Sequence, residues 1–174
     1  NGELLFELST EREYFNFLDL VYLENTNCLL AGGFDQNLLF FDLNSREKVD
    51  SVAIGNPIGA IKYIKHANLA ILGLWGGQIK AVNLTSKRII FSKQAHNTGY
   101  TMCLQVIETQ GMMVSCGDDG QILVWSIKRK VPYLIKRINV FDGCCPQLRN
   151  LVKIDERYLI FEYDGNLVMT DVFN

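Results

Sequence analysis

Gly117-Asp118-Asp119-Gly120-Gln121-Ile122-Leu123-Val124-Trp125-Ser126 reads as a tight turn, an apolar strand and a polar stop. Asp-Gly at 119-120 is a strong hairpin signal, because such turns demand positive φ, which Gly adopts freely and Asp tolerates. Three other segments superpose on this one: Gly33 to Asp42, Leu74 to Asn83 and Glu162 to Asp171. With Asp35, Gly76, Asp119 and Asp164 as register marks, the spacings are 41, 43 and 45 residues. A supersecondary unit repeated at such a period cannot bury its apolar face alone, so neighbouring units must stack.

Working outward from each turn, a β-rich run precedes it: Cys28 to Gly33, Leu69 to Leu74, Met112 to Gly117 and Tyr158 to Glu162. An earlier run lies at Phe17 to Leu23, Ala60 to Ile64, Met102 to Ile107 and Leu151 to Ile154, and a later one at Val49 to Ile54, Ile89 to Ser92 and Tyr133 to Ile138. The unit is therefore an antiparallel meander a, b, c, d with b–c turns at 35-36, 76-77, 119-120 and 164-165. Runs such as Asn68 to Trp75 are apolar on both strand faces, which fits sheets packed between sheets. The expected fold is all-β, built of propeller blades of four antiparallel strands. Its repeats run over about 11-54, 55-93, 94-140 and 141-174, and residues 1-10 form an outer strand d. No window keeps a 3.6-residue period, which excludes a long helix; Thr10 with Glu13 has the spacing of a capping box and allows one short helical turn.

The 174 residues are 48% apolar and 21% charged, with 17 basic and 19 acidic side chains. A chain of this size buries about 70% of its unfolded surface, so one well-cored domain is expected. The charge balance fits neither a disordered tail nor a polybasic nucleic-acid binder, and no apolar run is long enough to span a bilayer. Five cysteines without paired Cys-x-x-Cys motifs argue against a zinc site and for a reducing compartment. Cys28, Cys103 and Cys116 sit in apolar runs and read as small buried hydrophobes, and Cys144-Cys145 as a reduced pair in a loop. An intracellular, cytoplasmic protein is expected. No basic-then-apolar leader precedes the first strand, and the chain starts at Asn1, which is compatible with a piece of something longer.

The turn, the apolar strand and the closing dipeptide resemble those of WD-repeat β-propellers, whose repeats run from a Gly-His pair to a Trp-Asp pair. The resemblance covers essentially the whole chain in degenerate form: the closing dipeptides are Phe41-Asp42, Val82-Asn83, Trp125-Ser126 and Thr170-Asp171. The third repeat matches best, with His96, Ser115, Asp119 and Trp125. The resemblance implies that these four form a structural hydrogen-bonded chain from the indole N–H through hydroxyl and imidazole to carboxylate. Rings of this family usually hold more than four blades, so the chain is expected to be the carboxy-terminal portion of a larger propeller. In the family an amino-terminal strand d completes the last blade, and Glu3 to Leu8 has that character.

His96, Ser115 and Asp119 also match the residue types of a Ser-His-Asp set. Ser115 lies within a strand, with no Gly-x-Ser-x-Gly elbow around it, so the structural reading is preferred. His66 reads as a loop residue and Lys128-Arg129-Lys130 as a solvated c–d turn. Asp118 with Asp119 lacks the further oxygen ligands of a cation site, and Asn83-Leu84-Thr85 is a glycosylation match in form only.

Two function classes follow. One is a non-catalytic protein-protein interaction module or scaffold without cofactor, metal or small-molecule substrate. The alternative is a propeller-fold enzyme, hydrolytic or metal-dependent, with its site on the central axis. Inner-strand Asp19, Lys62, Gln105 and Lys153 do not match as a ligand set, which favours the first. In a meander the b–c turns and d–a loops emerge at one end. Just before the turn marks stand Phe34, Trp75, Asp118 and Tyr163, and the d–a loops contribute Tyr100 and Arg149. Large aromatics where turns usually carry small polar residues suggest a surface for proteins or peptides.

Overall fold

The computed structural model describes residues 5–8, 16–97, 99–129, 131–140, 148–163 and 165–173, and the side chains of these except Met102 and Arg149. Four antiparallel sheets follow one another along the chain. The first comprises β1 (Phe17–Leu23), β2 (Cys28–Gly33), β3 (Asn37–Asp42) and β4 (Glu47–Ala53), and the second β5 (Ile58–Ile64), β6 (Leu69–Leu74), β7 (Gln78–Asn83) and β8 (Arg88–Gln94). The third holds β9 (Thr101–Ile107), β10 (Met112–Gly117), β11 (Gln121–Ser126) and β12 (Tyr133–Asn139). The fourth holds β13 (Leu148–Lys153), β14 (Tyr158–Tyr163) and β15 (Asn166–Asp171). Strand order within each sheet is sequence order, as a meander requires. The helical turns among the described residues are two 3-10 segments, Lys65–Ala67 and Glu108–Gln110, both in a–b connections.

Three seams between successive sheets contain most of the core. β6 shows how: Ala70, Leu72 and Leu74 face the first sheet and meet Leu30, Leu38 and Phe40, whereas Leu69 and Ile71 face the third and meet Leu104, Met113 and Trp125. Each buried Leu or Ile contributes about 1.5 to 3 kcal/mol. The third seam joins Ile107, Val114 and Ile122 to Leu148, Leu159 and Phe161. Inner strands β1, β5, β9 and β13 pack in that order.

The turns repeat as backbone geometry even where the residues differ. Gln36, Gly77, Gly120 and Gly165 occupy the same left-handed position, with φ of 64°, 75°, 70° and 74°. In three blades the carbonyl of this residue pins the chain just after strand d: Ile54 N–H donates to Gln36, Ala95 N–H to Gly77 and Val140 N–H to Gly120. A second repeated clamp sits at the a–b turn. Asn27, Asn68 and Gly111 are left-handed, and their carbonyls accept the N–H of Leu43, Leu84 and Ile127 just after strand c.

Some expectations meet a different outcome. Leu5–Leu8, expected in an outer strand, lies in no sheet, and Leu8 packs against Ala31, Leu39 and Phe41 on the open face of the first sheet. That apolar face partly buries Leu8 where it stands, whereas joining the fourth sheet would require the ring to close. Strands a of the second and fourth sheets begin earlier than read, at Ile58 and Leu148, because Gly59 and the Arg149-Asn150 irregularity interrupt their apolar pattern without ending the pairing. Thr10, Glu13, Lys130, Cys144, Cys145 and Asp164 lie outside the described residues.

The left-handed turn position generates a prediction. A Cβ added to Gly77 would approach the His96 carbonyl oxygen at 2.2 Å, so Gly77→Ala should cost at least about 2 kcal/mol. Gln36→Gly should instead stabilise by about 0.5 to 1 kcal/mol, by removing the left-handed strain of a side-chain-bearing residue. Thermal or urea denaturation of both variants checks the opposite signs.

Candidate functional site

Two groupings of polar and aromatic side chains gather where the b–c turns and d–a loops meet. The first is a polar thread through the second seam. Trp125 on β11 and Ser115 on β10 point into that seam, and His96 arrives from the loop after β8. The Trp125 Nε1–H donates to Ser115 Oγ at 3.0 Å, Ser115 Oγ lies 3.0 Å from His96 Nε2, and His96 Nδ1 lies 2.8 Å from Asp119 Oδ1. With the carboxylate as acceptor, the Nδ1 atom carries the hydrogen, and Nε2 accepts from the Ser115 hydroxyl. Trp125, Ser115 and His96 are fully buried.

Asp119 closes the thread. Its carboxylate also accepts the N–H of Asn97 at 3.0 Å and of Gln121 at 3.2 Å. Burial opposes its charge, but the hydrogen bond from His96 and those from the two backbone donors outweigh that and hold its pKa below the ordinary carboxylate value. One glycine makes room for the imidazole and another anchors its backbone. A Cβ on Gly117 would meet His96 Cγ at 2.8 Å, and the His96 N–H donates to the Gly77 carbonyl at 2.9 Å. Ser115 is buried and its oxygen already bonded on both sides, so this geometry leaves no approach for a substrate carbonyl.

The second grouping is a chain of rings. Phe34 from the first b–c turn meets Trp75 from the second with centroids 4.6 Å apart at 85°, and Trp75 meets Tyr100 from a d–a loop at 4.5 Å and 60°. Edge-to-face pairs of this kind add about 0.5 to 1.5 kcal/mol beyond burial. Backbone bonds hold the loops together: the Gly76 N–H donates to Gly99 at 2.9 Å, and Trp75 and Tyr100 form an antiparallel bridge. Trp75 Nε1 is buried beside Gly59 without a hydrogen-bond partner among the described residues. Phe34 and Tyr100 are 42% and 38% exposed, so the ends of the chain face water while its centre is half-buried.

The structure thus brings Phe34, Trp75 and Tyr100 together. Asp118 stands beside them, its N–H donating to the Tyr100 carbonyl at 3.3 Å. Tyr163 ends β14 rather than capping a turn and packs against the third seam. Arg149 pairs with Glu162 through the backbone of β13. His66 reaches across to the third sheet, its Nε2 lying 3.3 Å from the Ile127 carbonyl oxygen. Sequence reading missed the repeated Tyr22–Asn27 and Tyr63–Asn68 side-chain bonds at the a–b turns. The shared Tyr-x-x-x-x-Asn spacing was the available signal.

Comparison with solved structures decides the architecture. The WD40 β-propeller domain of Doa1 superposes with a TM-score of 0.71 at 17% identity, over 89% of this chain and 51% of that one. The chain has the fold of WD40 β-propeller blades. It spans about half the length of the matched propeller. No protein-family model and no curated protein matches the sequence. Among the described residues no helix is long and apolar enough to cross a membrane.

The polar thread predicts two measurable effects. Ser115→Ala leaves the Trp125 N–H and the imidazole without their shared partner, at a cost of about 1 to 3 kcal/mol. The melting temperature should fall by about 2 to 4 °C per kcal/mol. Because the folded-state pKa of Asp119 is depressed, its contribution is present above the unfolded carboxylate value and is lost as pH falls through the lower folded value. Denaturation midpoints measured across acidic pH should therefore drop less steeply in Asp119→Asn, which is less stable at neutral pH.

Proposed function

We propose that the chain is a protein-interaction module, a scaffold element within a multiprotein assembly, that docks proteins or peptides on the face formed by its b–c turns and d–a loops. The observation that carries this reading is the ring chain Phe34–Trp75–Tyr100, assembled from three separate loops with its two ends in water. Rigid aromatics bury large area for little lost rotamer freedom, which is why they anchor interfaces. Asp118 supplies a charged rim beside Tyr100. In this reading the His96–Asp119 thread is structural: it fixes the third b–c turn on which Asp118 and the Tyr100 loop rest.

The reading includes a larger propeller, of which this chain is the carboxy-terminal part, in an intracellular, cytoplasmic protein without nucleic-acid or membrane partners. Its support is the apolar character of both terminal sheets. Leu18, Leu20 and Tyr22 on β1, and Val152, Leu167 and Met169 on the fourth sheet, are exposed on faces that resemble the buried inter-sheet faces between them. The half-length coverage of the matched propeller agrees with this.

The test is Phe34→Ser combined with Tyr100→Ser in the full-length protein, with quantitative affinity capture and thermal melting. Partner capture should fall about tenfold or more while the melting temperature is kept. Unchanged capture overturns the site. Trp75→Ala with Tyr163→Ala is the companion: general destabilisation with capture retained would assign both rings to the core.

A further inference from the structure

Cys103 on β9 and Cys116 on β10 stand directly opposite each other across an antiparallel pair. Opposed residues in such a pair have Cα atoms about 4.5 to 5.5 Å apart, within the about 4.4 to 6.8 Å that a disulfide spans. Both side chains face the third seam, both are free thiols, and each thiol acts on the ionisation of the other. Their surroundings differ. Cys116 is fully buried, and its Sγ also lies 3.6 Å from the Leu148 carbonyl oxygen. Cys103 is partly exposed.

The neighbouring strand is shaped around Cys103. β13 slips register between Arg149 and Val152, and Asn150 adopts a φ of 54°. Asn150 and Leu151 have no register partner in β14, and their backbone amides favour the thiolate form of Cys103. Consecutive amides gathered by a left-handed residue form a concavity suited to an anion. Lys62, on β5, adds positive charge from the second sheet. The Cys116 thiol is the largest influence. Against the opposing effect of burial, it acts with the two amides and Lys62 to push the Cys103 thiol down to about 6. The Cys103 thiol, with burial, raises Cys116 well above the ordinary thiol value. Asp118 and Asp119 act on Cys116 in that direction.

We propose that Cys103 and Cys116 are an oxidisable dithiol, a modification site for a small hydroperoxide, with Cys103 as the attacking sulfur and Cys116 as the resolving one. The Cys103 thiolate attacks one peroxide oxygen, forming an S–O bond as the O–O bond breaks; the departing alkoxide or hydroxide takes a proton from water. Cys103 is then a sulfenic acid. The Cys116 sulfur attacks the sulfenic sulfur, the S–S bond forms, and the leaving hydroxide combines with the Cys116 proton as water. Two thiols lose two electrons and two protons in total, and the peroxide is reduced to water and alcohol, or to two waters when it is hydrogen peroxide. Burial confines the first encounter to Cys103, and the cross-strand register places its resolving partner before any other cysteine among the described residues.

The test treats the whole native protein with hydrogen peroxide, caps remaining thiols with N-ethylmaleimide, and maps unreduced peptides by mass. The expected product links the peptides carrying Cys103 and Cys116, lighter by two hydrogens and reversed by dithiothreitol. Alkylation of Cys103 should follow a pH profile with its midpoint at about 6 rather than at the ordinary 9.0. In Cys116→Ala the sulfenic acid should persist on Cys103 and be captured by dimedone. The mapping and the pH profile use the unmodified sequence, so a poorly folding variant does not decide the matter. Three results overturn the proposal: both thiols remaining alkylatable after peroxide, Cys103 pairing with Cys28, Cys144 or Cys145, or an alkylation midpoint at the ordinary thiol value.

Discussion

Water touches neither face of β6. Its six residues are all buried, alternate side chains entering the seam before it and the seam after it. A strand of this kind is stable only when a sheet lies on each side. Stacking sheets side by side places every a–b and c–d turn at one end and every b–c turn and d–a loop at the other. The convergence of these loops at one end is therefore a consequence of two-sided burial.

The same packing explains why the blades diverge at their turns while agreeing in backbone. The left-handed position recurs at 36, 77, 120 and 165, and in the first three blades its carbonyl pins the end of strand d. What precedes it is free to vary. In the third blade Asp119 is engaged by a buried imidazole, and its turn stays polar. In the second, Gly76 stands at that position, no histidine is tied down, and Trp75 is released to bridge two neighbouring loops. One turn thus adds stability through a satisfied polar thread, and the next presents aromatic surface.

Seams also create chemistry that neither sheet holds alone. The amides surrounding Cys103 come from the irregular start of β13, the charge from Lys62 on β5 and the opposed thiol from β10. Irregularity in β13 costs two ladder pairings and turns two donors toward the adjacent blade. A regular strand would have spent the same donors within its own sheet.

Much of the fold was legible in the chain because its cause is local and repeated. The Asp-Gly turns, the apolar runs on either side and the period near 43 between Gly76 and Asp119 dictate a meander whichever blades surround it. The residues of the third-blade thread were legible through the resemblance to WD-repeat propellers, which implies a polar chain through His96, Ser115, Asp119 and Trp125. Sequence alone placed Phe34, Trp75 and Tyr100 at one end of the sheets. That they touch, and that Tyr163 turns inward instead, depended on the angle and separation of neighbouring blades, which no single repeat encodes. Cys103 and Cys116 read separately as small hydrophobes. Only the β9–β10 register set them opposite one another, and only the third seam brought the β13 amides to one sulfur. Periodicity determines which strands form and which face is buried; tertiary packing decides which side chains from different repeats share a site, because those distances are set by sheets stacked across the chain.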